Sequence, residues 1–395
     1  MTETRAMGPL GSLLSERTLG PGVQRTLLGL RPVLERFARR AYFGIHGPFP
    51  ARSPGRILLL AGHWVGDTFW AAQTLGPLQE RFPESELWVA TRSRAALLWR
   101  GQVPPERILD CPDLVSDRTR EPFSWSGFRT LIGELRECQP DLVLDLMGNS
   151  YSALAAFLIR PQRAYGCAPN PLAALYSRPP RPQAPGAHLS ERPFVALDRL
   201  GITAPQRPRP LPLALPPPEV VRRRYQLPER KPLVALAPGA GWASKRWPPE
   251  RFAQLAAAFE ELGLLPLVLG SAQERELLEG VAGATAYGRA LPGLSLPSSL
   301  SLLKEARLLV ANDSGLGHLA AAEGTPVISL FSSTNPGRYR PLGPRVRVLR
   351  AGCQDRPEGT SEHCHDQAAY PCPSTCWDAI GVAEVLSACR RELLR

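Results

Sequence analysis

The sequence lacks an apolar run of the roughly 18 residues that a membrane-spanning helix requires. Its N-terminus also lacks a short apolar core followed by a small-residue cleavage site, the pattern of a secretory signal. Both absences predict a cytoplasmic protein. A chain of 395 residues with 44% hydrophobic residues can bury a sizeable core, and its length predicts two domains, because domains usually hold about 100–200 residues.

Acidic residues are too few to balance the basic ones: 36 aspartates and glutamates face 47 lysines and arginines, which gives a net charge of +11. Such an excess predicts an anionic partner, whether a nucleotide, a phosphorylated glycan, a membrane surface or a nucleic acid. The sequence contains no nucleic-acid-binding motif and no basic patch with interleaved aromatic residues. We therefore expect no nucleic-acid partner.

Paired C-x-x-C knuckles, the signature of a zinc site, are also missing. Four of the eight cysteines nevertheless crowd towards the C-terminus, separated by ten, seven and three residues: Cys353, Cys364, Cys372 and Cys376. In a cytoplasmic protein such a cluster indicates metal or thiol chemistry before disulfides. Two interpretations stay open, a structural metal site and ordinary loop cysteines that pair when oxidised.

From Arg56 onward, short apolar runs alternate with segments of helical spacing, the rhythm of βαβ units. This alternation predicts an α/β fold with parallel sheets wound with helices. A helix is predicted over residues 68–81, after a turn at Gly66-Asp67. The apolar runs that predict buried strands include residues 57–61, 141–146, 233–237 and 327–331.

Composition divides the chain into five segments. Residues 1–55 form a basic extension with helical spacing over 23–42, which either lies on an acidic membrane surface or packs on the first domain. A proline-rich stretch from Pro205 favours neither helix nor strand and predicts a linker. The predicted boundaries are 56–204 for the first domain, 205–230 for the linker, 231–350 for the second domain, and 351–395 for a cysteine-rich tail with a terminal helix from Asp378.

The most informative stretch is residues 308–331, where an apolar strand gives way to Asn-Asp-Ser-Gly at 312–315 and then to a helix of small residues. The first backbone N–H groups of a helix have no intrahelical partner, so this start is suited to bind a phosphate. In the alternative interpretation, Asp313 and Ser314 only cap the helix and His318 is a satisfied helix residue.

A second loop, residues 238–248, combines two glycines with Ser244 and the adjacent cations Lys245 and Arg246, ahead of a helix that starts with proline. The ammonium group of Lys245 can neutralise a phosphate as a point charge. The alternative is a basic surface loop anchored in the core by Trp247.

Polar side chains also follow three other predicted strands. Glu274 lies where acidic residues of dinucleotide-binding folds accept hydrogen bonds from a ribose diol, or it is a solvated residue at a helix start. Asp67, after Gly66, can take a proton from an acceptor hydroxyl, or it caps the following helix. Asp145 and Asn149 either contact a polyhydroxylated ligand or hydrogen-bond the turn.

Five segments with these residues occur in an order that resembles glycosyltransferase family 9, the ADP-heptose:lipopolysaccharide heptosyltransferases, from about Arg56 to Tyr339. Each segment alone is weak evidence, but the five in order are specific. They are Ile57 to Asp67 with Gly-Asp; Asp141 to Asn149, which reads Asp-Leu-Val-Leu-Asp-Leu-Met-Gly-Asn; Pro238 to Pro248 with Ser-Lys-Arg-Trp-Pro; Gly270 to Glu276; and Asn312 to His318, followed by Gly-Thr-Pro-Val and Phe331-Ser-Ser-Thr-Asn-Pro.

The resemblance implies a GT-B type fold of two facing Rossmann-like domains with an interdomain cleft. It also implies an inverting, metal-independent transfer without a cofactor, with heptose from ADP-heptose passing to a lipid-linked acceptor such as the lipopolysaccharide core. We expect this reaction at the cytoplasmic face of the membrane. Two alternatives stay open: another nucleotide-sugar donor for a different surface glycan, and a non-catalytic nucleotide-binding homologue.

Carried over residue by residue, the resemblance makes Asp67 the general base. Family members usually carry a basic residue in the first glycine loop, where this sequence has His63. The predicted donor-binding residues are Ser244, Lys245, Glu274, Asp313, Ser314, Gly315 and His318. The predicted acceptor-side residues are His63, Gly66, Asp145 and Asn149, and no metal ligand is predicted.

Overall fold

The computed structural model describes residues 53–62, 64–111, 125–184, 186–351 and 375–395. These residues fall into two compact units, the first ending at Ala204 and the second beginning at Pro205. The predicted helix over residues 23–42, His63 and three of the tail cysteines lie outside the described residues. Within the described part, no helix has the length and apolar composition that crossing a bilayer demands.

The described part of the first unit contains a parallel sheet with helices wound around it. Its strands are β1 (Arg56–Leu60), β2 (Glu86–Thr91), β3 (Ile108–Asp110), β4 (Leu142–Asp145) and β5 (Arg163–Gly166). Its helices are α1 (Val65–Ala72), α2 (Leu75–Arg81), α3 (Ser93–Ala96), α4 (Trp125–Glu137), α5 (Ser150–Ile159) and α6 (Arg192–Val195).

The strand order of this sheet is β3-β2-β1-β4-β5, and every neighbouring pair is parallel. The order reverses at β1, which pairs with β2 on one side and β4 on the other. Open parallel sheets bind ligands beyond the carboxyl ends of their strands, at the point of such a reversal. The loops that follow β1 and β4 are therefore the ones placed for function.

The second unit repeats this plan with six strands. They are β6 (Leu233–Ala237), β7 (Leu265–Gly270), β8 (Arg289–Pro292), β9 (Leu309–Asn312), β10 (Val327–Phe331) and β11 (Val346–Arg350). Its helices are α7 (Pro218–Arg224), α8 (Pro249–Glu261), α9 (Arg275–Ala282), α10 (Leu296–Glu305), α11 (Gly315–Ala322), α12 (Pro336–Tyr339) and α13 (Val382–Leu393).

The order in the second sheet is β11-β10-β9-β6-β7-β8, again all parallel. Its reversal lies between β6 and β9, so the loops after these two strands are adjacent. Strand β6 is buried along its whole length, as the uninterrupted apolar run predicts for a strand covered on both faces.

The helix predicted over residues 68–81 is in fact two helices, α1 and α2. Pro77 explains the break, because it has no N–H to bond the carbonyl four residues earlier, at Gln73. Helix α1 begins at Val65, so Gly66 and Asp67 lie in its first turn. The prediction of a separate turn at Gly66-Asp67 is therefore wrong.

Part of the proline-rich stretch predicted as a linker forms helix α7 in the second unit. A proline suits the first position of a helix, where an N–H would have no intrahelical partner, and Pro218 occupies that position. The helix is held by Arg222, whose NH2 lies 2.7 Å from Oε1 of Glu305 in α10. From residue 218 onward, the predicted linker thus belongs to the folded unit.

The C-terminal segment packs on the second unit. Its helix begins at Val382, four residues later than predicted, after a 3-10 turn over Thr375–Ala379. Side chains of α13, including Val385 and Ala388, share one buried apolar cluster with Phe252 and Phe259 of α8. Full burial of one such aromatic side chain stabilises a fold by about 1.5–3 kcal/mol, so this contact fixes the segment firmly.

Candidate active site

One side chain from the neighbouring strand β9 hydrogen-bonds both ends of the loop after β6. Asn312, the last residue of β9, donates from Nδ2 to the carbonyl of Pro238 at 2.7 Å and accepts at Oδ1 from the backbone N–H of Trp247 at 3.1 Å. Asn312 and Trp247 are both fully buried. Two bonds from one side chain thus hold both ends of the loop that contains Lys245.

The structure brings Lys245 and Asp313 together. Nζ of Lys245 lies 2.6 Å from Oδ2 of Asp313, and the hydroxyl of Thr334, after β10, donates to the same oxygen at 2.8 Å. The side-chain exposures of Lys245 and Asp313 are only 17% and 8%, so their attraction is screened less than that of a surface pair. The Lys245 ammonium group is therefore held at a defined position beside the start of α11.

Helix α11 starts as the sequence predicts, with Gly315 as its first residue and Ser314 in the N-cap position. The side chain of Ser314 makes no capping hydrogen bond, and its Oγ has no hydrogen-bond partner among the described residues. Ser314 therefore occupies the N-cap position, as the alternative interpretation expects, but without the side-chain hydrogen bond of a capping residue. His318 lies buried one turn further along α11.

The Glu274 carboxylate borders the loop that carries Lys245. It accepts from the N–H and the hydroxyl of Ser271, at 2.9 and 2.8 Å, in a capping box at a 3-10 turn. It also lies against Gly239, where an added Cβ would stand 2.1 Å from Oε1, so this close approach requires glycine. NH2 of Arg246 is 4.0 Å from the same carboxylate. Glu274 is therefore partly enclosed, and not a freely solvated helix residue.

Ser244 is buried in the 3-10 turn Ala243–Lys245, and its side chain faces the interior of the unit. Its Oγ lies 3.5 Å from Oγ of Ser333, and its carbonyl accepts from the hydroxyl of Ser332 at 2.7 Å. Ser244 thus links the loop after β6 to the loop after β10.

In the first unit, Asp67 lies exposed in the first turn of α1, after the loop that follows β1. Asp67 does not occupy the N-cap position, which belongs to Trp64, so the alternative in which it caps the helix is wrong. The hydroxyls of Thr68 and Thr91 donate to the carbonyl of Gly62, at 3.0 and 2.9 Å, and so fix the preceding loop.

Asp145, at the end of β4, is fully buried. Its Oδ1 accepts from the N–H groups of Met147 and Gly148, while Oδ2 accepts from the hydroxyls of Ser152 and Tyr176. Burial raises the pKa of Asp145 above its ordinary value, although these hydrogen bonds favour the ionised form. The structure therefore gives Asp145 the second role considered from the sequence, that of holding the turn.

Asn149 has a similar local role. It caps α5 by accepting from the backbone N–H of Ser152 at 2.9 Å, and the hydroxyl of Ser152 accepts from the N–H of Asn149 in return. This reciprocal pattern is a capping box, so the side chain of Asn149 is engaged with the turn.

Arg192 is a residue that sequence reasoning missed. Its NH2 donates to the carbonyl of Met147 at 2.8 Å. Burial opposes the charge of this guanidinium, but nearby Cys167 and Asp67 outweigh it and raise the pKa of Arg192. Arg192 thus contributes positive charge near Asp67, although no motif signals it in the sequence.

A family model for glycosyltransferase family 9 (heptosyltransferase) matches residues 128–368. The chain belongs to this family. The match takes in Lys245, Glu274 and Asp313 of the second unit. Asp67 precedes the matched residues, and the C-terminal segment from Thr375 follows them.

Curated relatives of this family 9 chain include lipopolysaccharide heptosyltransferase 1 of Pseudomonas aeruginosa, which is 34% identical over 221 residues, or 54% of this chain and 59% of that protein. Lipopolysaccharide heptosyltransferase 2 of Escherichia coli is 26% identical over 318 residues, or 75% of this chain and 88% of that protein. The chain thus spans less than two thirds of the first relative and most of the second.

Solved structures show the same fold. An E. coli ADP-heptose lipopolysaccharide heptosyltransferase II superposes with a TM-score of 0.69 at 24% identity, covering 86% of this chain and 98% of that one. An E. coli heptosyltransferase with ADP gives a TM-score of 0.63 at 21% identity, over 85% and 99%. The prediction of a GT-B type α/β fold with two Rossmann-like domains is confirmed.

The cysteine cluster of this family 9 member lies mostly beyond the described residues, which include only Cys376 of its four cysteines. Within the described part, no group of three or more histidines, cysteines, aspartates or glutamates could hold a metal ion. The two interpretations of the cluster therefore both stay open.

Proposed function

We propose that this family 9 glycosyltransferase is an inverting heptosyltransferase that transfers heptose from ADP-heptose to a lipopolysaccharide core or a related cell-surface glycan. The observation that carries the proposal is the Lys245–Asp313 pair beside the start of α11, where Ser314 makes no capping hydrogen bond, at the strand-order reversal of the second sheet. The heptose, the ADP and the lipopolysaccharide of the proposal come from the relatives, which are lipopolysaccharide heptosyltransferases and include an ADP-heptose enzyme.

On the donor side, the diphosphate lies against the first N–H groups of α11 and the ammonium group of Lys245. That group has three N–H donors, so it can bond Asp313 and a phosphate oxygen at once. The negative charge that builds on the leaving diphosphate is met by Lys245 and the helix start, without a metal ion in the scheme. Glu274, against Gly239, accepts hydrogen bonds from the donor ribose.

On the acceptor side, Asp67 takes the proton from the attacking hydroxyl as that oxygen bonds to the anomeric carbon. One displacement at the anomeric carbon inverts its configuration. The exposed position of Asp67 in the first turn of α1 supports this role, because a general base must be accessible to the acceptor.

The acceptor in this proposal is lipid-linked, so the enzyme works at the cytoplasmic face of a membrane, as a peripheral protein. The net charge of +11 supports attraction to an anionic surface. The proposal predicts faster transfer to an acceptor glycan held in vesicles by its lipid than to the same glycan without the lipid.

The proposal is tested by ADP release from ADP-heptose with a lipopolysaccharide-core acceptor, alongside a panel of other nucleotide-sugars. We expect ADP-heptose to give the highest kcat/KM and a product of inverted anomeric configuration. Preferred turnover of another donor would establish the alternative of a different surface glycan. Nucleotide binding without turnover of any donor would support the alternative of a non-catalytic nucleotide-binding homologue.

A further inference from the structure

The C-terminal segment directly contacts the loop over residues 238–248, which carries Lys245 and is called the donor loop below. Trp377 lies in the 3-10 turn Thr375–Ala379 and is only 3% exposed. Its indole Nε1 donates to the backbone carbonyl of Ser244 at 3.2 Å, next to Lys245 in sequence. Trp377 follows the last residue of the family match, so the family pattern assigns it nothing.

Reciprocal bonds fix this segment on the second unit. The indole of Trp247 donates to the carbonyl of Ile380 at 3.0 Å. Arg251 of α8 donates from NH1 to the carbonyls of Trp377 and Ile380, and its NH2 lies 3.1 Å from Oδ1 of Asp378. The loop and the C-terminal segment are therefore held together by hydrogen bonds that each donates to the other.

The carbonyl of Ser244 receives two hydrogen bonds, one from Trp377 and one from the hydroxyl of Ser332 at 2.7 Å. A carbonyl oxygen has two lone pairs, so its accepting capacity is filled. The Ser244 carbonyl and the Lys245 N–H belong to one planar peptide unit. Fixing this carbonyl therefore fixes the position of the Lys245 Cα, from which the side chain leaves the backbone.

We propose that Trp377 is a positioning residue of the donor site, which holds Lys245 in place for the donor diphosphate through the Ser244 carbonyl. The proposal rests on the diphosphate-binding role proposed above for Lys245. It extends the site to a segment that lies 133 residues from Ser244 along the chain.

The test uses Trp377→Phe in the full chain, which keeps an aromatic ring in the core and removes the N–H donor. Trp99→Phe is the matched control: Trp99 is fully buried in the first unit, and its Nε1 has no hydrogen-bond partner among the described residues. We expect Trp377→Phe to raise the donor KM and the Kd of ADP about 2- to 10-fold, the equivalent of one neutral hydrogen bond. The acceptor KM should not change, and the control should leave all three constants unchanged.

A second measurement does not depend on the nucleotide. The N–H groups of Lys245 and Arg246 bond within the 3-10 turn, to the carbonyls of Trp242 and Ala243. Hydrogen exchange of these two amides should be faster in Trp377→Phe than in the wild type, and unchanged in Trp99→Phe. A double variant with Ser332→Ala should weaken ADP binding by more than the product of the two single effects, because the two donors share one acceptor.

The outcomes separate this proposal from the proposed function. If the wild type binds neither ADP nor ADP-heptose, the proposed function fails, while the exchange of the Lys245 amide still reports whether Trp377 holds the loop. A fall in kcat with an unchanged donor KM would mean only that a smaller fraction of the enzyme molecules is active. That result would overturn the positioning role. Unchanged exchange at Lys245 and Arg246 in Trp377→Phe would overturn it as well.

Discussion

The two units place an acidic residue at equivalent points of their sheets, Asp145 at the end of β4 and Asp313 just after β9, but the two carboxylates have different surroundings. Asp145 is fully buried and accepts hydrogen bonds from four uncharged groups. Asp313 contacts the ammonium group of Lys245 and one hydroxyl, at the edge of the protein interior.

The difference shows how one sheet plan yields two kinds of site. In the first unit, the strand-end acid holds the turn, and the carboxylate proposed to act on a substrate is the exposed Asp67, seven residues after β1. In the second unit, the acid holds a cation beside a helix start, which suits an anion. The proposed roles are therefore chemical for Asp67 and Lys245 and structural for Asp145, and each role can be tested.

The largest effect is expected from Asp67→Asn, which keeps the shape of the side chain and removes its basicity. Loss of a general base lowers kcat by about 10²- to 10⁴-fold, while the KM values for donor and acceptor should change little. The measurement is steady-state ADP release. Asp198→Asn, at another exposed acid of the first unit, is the control, and equal losses in the two variants would refute the role of Asp67.

A somewhat smaller effect is expected from Lys245→Met, which keeps most of the side-chain length and removes the charge. Loss of one group that stabilises charge in the transition state lowers kcat by about 10²- to 10³-fold. The donor KM should also rise, because in the proposed function Lys245 binds the diphosphate in the ground state as well. Lys304→Met removes an exposed lysine that pairs with Glu323, and should leave both constants near the wild-type values.

The smallest of these effects concerns stability. Asp145→Ala leaves two backbone N–H groups and two hydroxyls without their acceptor, and should lower the free energy of unfolding by about 2–3 kcal/mol in urea titrations. Asp145→Asn should cost less, because the hydroxyls of Ser152 and Tyr176 can accept from the new amide. Similar costs for the two variants would count against a hydrogen-bonding role.

The same residue gives a pH dependence of known sign. Burial raises the pKa of Asp145 in the native state above the ordinary value of 3.8. At a pH between 3.8 and this raised pKa, the native state binds more protons than the unfolded state. The free energy of unfolding therefore falls as pH rises through this window. Asparagine does not titrate, so Asp145→Asn should gain stability relative to the wild type as pH increases from 3.8. A constant difference between the two proteins would contradict the raised pKa.

The sequence predicts the centres of both sheets well and their edges poorly. Strands β6 and β10 match the predicted residues at both ends, because each is buried along its whole length and every residue of the two except Ser329 is apolar. The unpredicted strands β3, β5, β8 and β11 are the four sheet edges. Three of these edge strands, β3, β8 and β11, consist mostly of half-buried or exposed residues, so their composition is mixed. Strand β8 even ends in Pro292, which an edge tolerates.

The site divides in a similar way. Lys245, Asp313 and Ser314 could be predicted because each lies in a local motif at the end of an apolar run. The burial of Asp145 could not, since it depends on Tyr176, which lies 31 residues away. Trp377 carries no local signal either, because its partner lies 133 residues earlier. Interactions over such separations depend on how the helices pack, which hydrophobic periodicity does not encode.

The docking of α13 has a consequence for the order in which the protein is made. Synthesis proceeds from the N-terminus, so all strands of the second sheet leave the ribosome before residues 377–389 do. The apolar cluster around Phe252 and Trp247 includes Trp377, Val385 and Cys389, so it closes only when this late segment arrives. The growing chain thus acquires a complete donor loop only once residues 377–389 have been made, after its first unit has had time to fold.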